Sequence, residues 1–399
     1  MELKGKKVGI LFSGGPAPSA NTVISSTALN FLDAHIQVIG FFKGYEYIQN
    51  FDINSPDTQL RENIHFTEIT KSISQVRNDR GIYLKTSRAN PGKNIEKIED
   101  LKDSEKNKKL QNIIHAFEHL RVGALISIGG DDTLKTANFL YNMGFPVIHI
   151  PKTIDNDYYG IPWTFGYWTA VDTAQKIMLN LKADAQSTES FYIVELMGRK
   201  AGWITYAAGI ASEAIMMLSG EDILEDTMDL DKICEQIADV ILQRRKKEKP
   251  YGVIAVAEGL ADKLPEELYP KEVDRHGNVM FGKANISRLL SHKVREKYKA
   301  RTGSEIKITA KQIGYETRAG SPISFDVVLG SMLGYGAFKF YSESKFGVMV
   351  SVNDNFDLVP VPFNDLIDHH TLKTRLRSVP KGSDFYTLKE NLSFRRLWQ

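Results

Sequence analysis

Cysteine is nearly absent: the 399-residue chain has one, Cys234. A single thiol excludes an internal disulfide framework and suits a reducing compartment. Long apolar runs are missing too, and none approaches the roughly 20 residues that a bilayer-spanning helix needs. The N-terminal MELKGKKVGILFSGG starts basic, but its apolar run is short for a secretory core and no small-residue cleavage site follows. The expectation is a cytoplasmic protein. No charge sign is in excess. Lys+Arg number 51 against 49 Asp+Glu, a formal net charge of +2, which argues against a general nucleic-acid or acidic-membrane binder. The chain also lacks a Gly-Lys-Ser/Thr P-loop ending and a Gly-x-Gly-x-x-Gly fingerprint, so Walker-type NTPases and NAD-dependent dehydrogenases are disfavoured.

What is present is an ordinary globular composition, 42% hydrophobic and 25% charged, on a length that suits one large or two medium domains. Short apolar, β-branched runs alternate with longer helical patterns, the signature of a parallel α/β sheet. Strands are expected at Val8–Phe12, Val122–Ile128, Phe145–Ile150, Phe191–Leu196, Gly252–Ala257, Ile306–Ile313 and Phe346–Val352. Helices are expected at Asn21–Leu32, Thr133–Asn142, Ala170–Ala183, Trp203–Ala211, Leu230–Arg245, Ser287–Tyr298 and Asp326–Tyr341. The alternating charges of Glu96–Lys109 read as an exposed helix or loop. The Arg244–Lys249 run reads as a solvated helix end, where cations meet the negative end of the dipole. Trp163, Trp168 and Trp203 read as packing, Cys234 as a small buried hydrophobe, and His369-His370 lacks the context of a metal site. No Gly/Pro/Ser-rich linker divides the chain, so two lobes would exchange the chain more than once.

The polar and glycine-rich segments all follow expected strands: Ser13-Gly14-Gly15, Gly129-Gly130-Asp131-Asp132-Thr133, Pro151 to Asp157, Met197-Gly198-Arg199 and Glu258-Gly259. Ligands of open α/β sheets bind outside the carboxyl ends of strands, so these segments describe one crevice. Ser13-Gly14-Gly15 is either a phosphate cradle at a helix N-terminus or a routine strand–helix turn. Gly129 to Thr133 can hold phosphate on bare backbone and Mg²⁺ on carboxylate oxygens, or it can simply cap a helix. In Pro151 to Asp157, two carboxylates stand two apart beside Lys152 and the Thr153 hydroxyl. That set suits phosphoryl transfer, with one Asp taking a hydroxyl proton and the lysine neutralising phosphate charge.

With these residues in hand, the chain resembles the phosphofructokinase family, and within it the pyrophosphate-dependent branch, with motifs in order from Gly14-Gly15 to about Asp326. The resemblance implies two Rossmann-like three-layer α/β lobes with mainly parallel sheets and the active site in the cleft between them. A donor lobe would span 1–166 plus about 319–345, and a sugar-phosphate lobe about 167–318 plus 346–399. It implies Mg²⁺ on Asp131 and the phosphoryl donor on Gly14, Arg88, Asp132 and Lys152. Asp155 is similar to the family's general base, with Thr153 and Asp157 in support, and Ile154 stands beside them among the substrate-binding residues. Met197, Gly198 and Arg199 match the sugar-phosphate turn, and Arg199 also stands with Lys152 and Asp155 as catalytic. Glu258 resembles a sugar-hydroxyl ligand, and Tyr315 and Arg318 match the segment that binds the 6-phosphate. ATP-using relatives usually have glycine where this chain has Asp132, and commonly where it has Lys152, which points to pyrophosphate as donor. At about 4 Å and an effective dielectric of 20, one like-charge pair is worth about 4 kcal/mol.

The implied activity is reversible transfer of a phosphoryl group from Mg²⁺-pyrophosphate to the 1-hydroxyl of fructose 6-phosphate by a homodimer or homotetramer, with no nucleic-acid or membrane partner. An ATP-dependent enzyme and a non-catalytic sugar-phosphate-binding subunit are the alternatives, and sedoheptulose 7-phosphate is an alternative acceptor. Ser190 and Thr309 stand where bacterial relatives have arginines that reach the 6-phosphate from a neighbouring subunit. Lys307 and Lys311 are the substitutes at hand.

Overall fold

The computed structural model describes residues 6–272 and 281–393. Along the chain the strands and helices run β1 (Lys7–Phe12), α1 (Ala20–Asp33), β2 (Val38–Phe41), β3 (Phe66–Ile69), α2 (Lys108–His119), β4 (Val122–Gly129), α3 (Asp131–Asn142) and β5 (Val147–Pro151). They continue with α4 (Tyr167–Ser187), β6 (Phe191–Leu196), α5 (Trp203–Ala211), β7 (Met216–Leu218), α6 (Leu230–Lys246), β8 (Gly252–Ala257) and α7 (Ile286–Thr302). The last are β9 (Ile308–Ile313), α8 (Ser324–Ser342), β10 (Val348–Val352), β11 (Leu358–Pro362), α9 (Phe363–Leu366) and α10 (Asp384–Leu392).

Two compact α/β units result. Unit 1 takes the chain up to Ile154, Tyr158–Trp168 and Arg318–Leu376; unit 2 takes Asp155–Asp157, Thr169–Thr317 and the chain from Arg377 on. The expected lobe boundaries need two corrections. Asp155–Asp157, expected within 1–166, fall in unit 2. Residues 346–376 belong with unit 1, because Val348 and Met349 of β10 pair in parallel with Ile148 and His149 of β5 and β11 pairs with β10. The outermost ends of the expected lobes, 1–5 and 394–399, lie outside the described residues.

Unit 1 is built on a seven-stranded sheet in the order β11-β10-β5-β4-β1-β2-β3. Its inner strands are parallel, and β3 and β11 are antiparallel edges. Every residue of β4 is buried, which is why its sequence is a continuous apolar run rather than an alternation. Helices α1 and α8 pack closely. A Cβ on Gly334 would come within 2.7 Å of the Ser26 Cβ and of the Thr27 backbone nitrogen. The Ser26 hydroxyl donates to the Ser331 carbonyl (2.8 Å) across the same interface.

Unit 2 is built on four parallel strands in the order β7-β8-β6-β9. Helices α6 and α7 supply much of its core, in which Ile233, Cys234, Ile237, Ile241, Leu290 and Val294 pack with the β6 and β8 side chains. Cys234 is fully buried there, and burial pushes its thiol up to about 12. It is the inert hydrophobe the sequence suggests.

Both charged stretches are largely exposed, as expected, and each contains a buried anchor. Glu96–Lys109 is not uniformly exposed: Asp100 is buried, accepts the backbone N–H groups of Glu96 and Lys97, and pairs with Lys106 at 2.8 Å. A carboxylate that collects these donors closes the loop on itself. Arg244 is buried too, donating from Nε and Nη2 to the Tyr251 carbonyl at 3.2 and 3.0 Å, so it serves as a staple between α6 and the chain that follows. Among the described residues, no helix is long and apolar enough to cross a membrane.

Candidate active site

In unit 1 the carboxyl ends of β5, β4 and β1 are neighbours, and the loops that leave them converge. After β1, Gly14 takes a φ of 90°, a conformation that L side chains resist. Its N–H donates to the Ser87 carbonyl (2.8 Å), and its own carbonyl accepts from the Thr86 hydroxyl (2.6 Å). The Thr86-Ser87-Arg88 segment is thereby clamped to the glycine turn, with the Arg88 side chain exposed next to it.

Glycine is needed here for close approach as well as for φ. A Cβ on Gly14 would stand 3.2 Å from the Lys152 ammonium nitrogen, and one on Gly15 would stand 2.7 Å from an Arg318 guanidinium nitrogen. Lys152 is buried, its backbone N–H donates to the Gly129 carbonyl (2.9 Å), and its ammonium lies 5.9 Å from the centre of the Phe12 ring. Two cations therefore flank one pair of glycines. Thr153 is half-buried and Ile154 buried just beyond, at the limit of unit 1.

The Gly129 to Thr133 segment settles one alternative. The N-cap of α3 is Gly130, with no side-chain cap, so Asp131, Asp132 and Thr133 do not cap the helix but occupy its first turn. Carboxylates there gain about 0.3–1 kcal/mol from the helix dipole. Asp131 is half-buried, whereas Asp132 is exposed and 3.6 Å from Lys135. A Cβ on Gly129 would collide with the Thr133 side chain, so the glycine is sterically required. His149, in β5, is fully buried and its Nε2 meets the Tyr158 hydroxyl at 3.0 Å. Burial lowers its pKa to about 3, and the nearby Lys152 charge adds to that.

In unit 2 the expected sugar-phosphate residues also gather at strand carboxyl ends. The turn after β6 holds Met197, Gly198 and Arg199, and the turn after β8 holds Glu258 and Gly259. The Gly259 N–H donates to the Gly198 carbonyl (3.2 Å), and a Cβ on Gly259 would overlap the Arg199 backbone. The turn after β9 joins them through the Thr317 hydroxyl, 3.6 Å from the Met197 sulfur. Tyr315 in that turn is 75% exposed, so its hydroxyl is open to a ligand. Asp155 and Asp157 belong to unit 2 as well, around Asn156, whose φ is 53°.

The Tyr315–Arg318 turn straddles the limit of the two units, with Tyr315 counted in unit 2 and Arg318 in unit 1, against Gly15. Other residues are not brought together. Ser190 is buried immediately before β6, and the Phe191 N–H donates to the Lys307 carbonyl. Ser190 and Lys307 thus sit at the amino ends of their strands. A six-residue strand, about 20 Å, separates them from the Met197 and Tyr315 turns within the unit. Thr309 and Lys311 lie along the edge strand β9, and Lys311 is exposed.

The tryptophans pack as expected within each unit. Trp163 stacks on Tyr167 and meets Trp168, which meets Phe325 edge-on, and Trp203 stacks on Phe385. One residue that no motif announces touches the Asp155–Asp157 loop. Arg377 donates its backbone N–H to the Asp157 carbonyl (2.9 Å) and Nη1 to the Asn156 carbonyl (3.3 Å).

The chain is similar to known proteins along most of its length. The family model described as Phosphofructokinase matches residues 7–341. The chain is 31% identical over 406 residues to the pyrophosphate–fructose 6-phosphate 1-phosphotransferase of Thermotoga maritima, covering 98% of this chain and 91% of that one. It is 30% identical to the ATP-dependent 6-phosphofructokinase 3 of Bacteroides thetaiotaomicron, covering 90% and 92%. Among solved structures, phosphofructokinase from Saccharomyces cerevisiae matches with a TM-score of 0.68 at 19% identity, over 90% of this chain but 45% of the yeast chain.

Proposed function

The chain belongs to the phosphofructokinase family, and within that family we propose that it moves a phosphoryl group from Mg²⁺-pyrophosphate to the 1-hydroxyl of fructose 6-phosphate, reversibly. The products are fructose 1,6-bisphosphate and orthophosphate. Asp155 takes the proton of the 1-hydroxyl as its oxygen attacks the nearer phosphorus, and the bond from that phosphorus to the bridging oxygen breaks. Lys152 and Arg199 offset the charge on the transferring and leaving groups. Gly14, with Arg88 beside it, presents backbone to the donor. Met197, Gly198, Glu258, Tyr315 and Arg318 hold the sugar phosphate, with Thr153, Ile154 and Asp157 supporting the base.

The observation that carries this reading is the approach of the Lys152 ammonium to Gly14, with Gly130 close by. A cation among bare backbone amides suits a small, highly charged donor with no base to anchor. Mg²⁺ takes one or two carboxylates alongside substrate phosphates and waters. Asp131, half-buried in the first turn of α3, is the carboxylate we assign to it, and the bound ion would neutralise donor charge.

Asp132 bears on donor choice mainly through shape. Its side chain is 53% exposed and Lys135 is near, so its repulsion of a nucleotide phosphate is closer to the aqueous value, about 1 kcal/mol at 4 Å. The volume of the carboxylate is the larger obstacle. The ATP-dependent relative in Bacteroides thetaiotaomicron, at 30% identity, keeps ATP as the second reading.

Asp155→Asn tests the base. The variant should fold normally and lose roughly 10²–10⁴ in turnover, the usual size of a general-base contribution. Near-normal turnover would remove Asp155 from the mechanism. Replacing Asp131 by Asn should raise the Mg²⁺ concentration needed for half-maximal rate. We assign a homodimer or homotetramer, which light scattering checks directly.

A further inference from the structure

We propose that Arg377 is a positioning residue that fixes the Asp155–Asp157 loop against the Met197–Gly202 turn, so that the proton acceptor and the sugar turn of unit 2 keep one register. The inference rests on the reading of Asp155 as the base. It does not come from the family match, which ends at residue 341.

Four contacts carry it, and all lie within unit 2. The Arg377 backbone N–H donates to the Asp157 carbonyl at 2.9 Å, and the guanidinium Nη1 donates to the Asn156 carbonyl at 3.3 Å. On the other side, the guanidinium lies 4.2 Å from the centre of the Trp203 ring, and the Trp203 indole N–H donates to the Arg377 carbonyl at 2.9 Å. Trp203 begins α5, directly after the turn that carries Met197, Gly198 and Arg199. One residue thus touches both loops, and a planar cation over an indole is a directional contact that a flexible ammonium reproduces poorly.

The loop has reason to need a holder. Asn156, between the two carboxylates, sits at a φ of 53°, a left-handed conformation that costs a non-glycine residue free energy. Hydrogen bonds to the carbonyls of Asn156 and Asp157 pin the two peptide planes on either side of Asp157, and the first of them also fixes the left-handed Asn156 that follows Asp155.

Arg377 is itself held at a fixed place. Glu221 Oε1 accepts the backbone N–H of Gly202 (2.9 Å), in the turn, and that of Val379 (3.2 Å), two residues past Arg377. Farther on, α10 is anchored by a fully buried ion pair of Lys389 with Asp222, which also accepts the Tyr386 hydroxyl at 2.8 Å. The tail from Arg377 to α10 is therefore a strap. Its buried end supplies the stability, and its half-buried end reaches the loop.

The test compares Arg377→Ala, Arg377→Lys and Asp155→Asn by steady-state kinetics with fructose 6-phosphate and pyrophosphate, alongside thermal melting. A misplacement of an ångström in a catalytic group costs on the order of 10²-fold. Arg377→Ala should lower kcat by about 10–100-fold and leave the KM for pyrophosphate within about threefold. Its melting temperature should stay near that of the wild type. Arg377→Lys should recover part of the loss, and free guanidinium ion at tens of millimolar should partly restore Arg377→Ala, which a purely structural contact would not show. If Arg377→Ala does not fold, Trp203→Phe replaces it. That variant keeps an aromatic ring near the guanidinium but removes the indole N–H with part of the ring, and a kcat loss of about threefold or more is expected. Wild-type kcat in the folded Arg377→Ala or Trp203→Phe variant, or a change confined to KM, overturns the inference. An active Asp155→Asn removes the reading on which it rests. An inactive Asp155→Asn with a normal Arg377→Ala defeats the positioning role alone.

Discussion

Lys152 and Gly14 show how one side chain and one missing side chain make a site together. The glycine's positive φ and the nearness of the ammonium both oppose a Cβ. Gly14→Ala should therefore combine backbone strain of order 1 kcal/mol with displacement of Lys152, raising the KM for the donor about tenfold or more. A donor KM unchanged in that variant would remove the turn from donor binding. His149 makes a prediction about pH. Burial holds its folded pKa at about 3 against 6.5 unfolded, so the unfolded state binds the extra proton as pH falls. The neutral histidine's contribution is whole above about pH 6.5 and is lost progressively toward pH 3, by about 2 kcal/mol at pH 5. Urea unfolding between pH 7 and 5 should show that slope, and His149→Gln should flatten it. The residues flanked by glycine or by a second carboxylate were legible in the sequence, because Gly14, Gly130 and Asp155 declare special backbone or chemistry locally. Arg377 was not, because its partners are carbonyls more than two hundred residues away along the chain, and carbonyls leave no mark on sequence.

Among the elements, the buried parallel strands were the easiest to read. β1, β4, β6 and β8 are apolar along nearly their whole length, and the observed spans differ from the expected ones by a residue or so. Edge and short strands left weaker signals. β7 has three residues, and β11 carries Pro360 and Pro362, which an interior strand would not tolerate and an antiparallel edge does. β2 and β3, of four residues each, are short for periodicity to register. Helix α2 buries Leu110, Ile113, Ala116 and Phe117, an amphipathic spacing masked by the charged run before it. The α1–α8 packing rests on Gly334, where the nearest atoms to an added Cβ include backbone that cannot swing aside. Gly334→Val should destabilise unit 1 by about 1–3 kcal/mol in chemical denaturation, the usual cost of overpacking.

At the scale of the molecule, the sequence supports two α/β units whose chain passes back and forth, and the crossings near 154–158, 168, 317 and 376 follow that expectation in kind. The exchange at 376 was the obscure one. It depends on β10 choosing β5 as neighbour, a pairing between segments nearly two hundred residues apart. The tail beyond it is secured by Lys389 and Asp222, both essentially without solvent contact. Lys389→Met would leave the Asp222 carboxylate buried without its cation and should cost unit 2 about 3–5 kcal/mol. A thermal melt within a degree of wild type would show that the hydroxyl donors around Asp222 suffice.

Donor choice is decided by the ratio of kcat/KM for pyrophosphate to that for ATP, measured as initial rates with saturating fructose 6-phosphate and Mg²⁺. Pyrophosphate should turn over with a ratio well above one, and the ratio should fall in Asp132→Gly. Turnover with ATP and none with pyrophosphate would contradict that expectation, leaving the family and the base in place and overturning the roles given to Asp132 and Lys152 in selecting the donor.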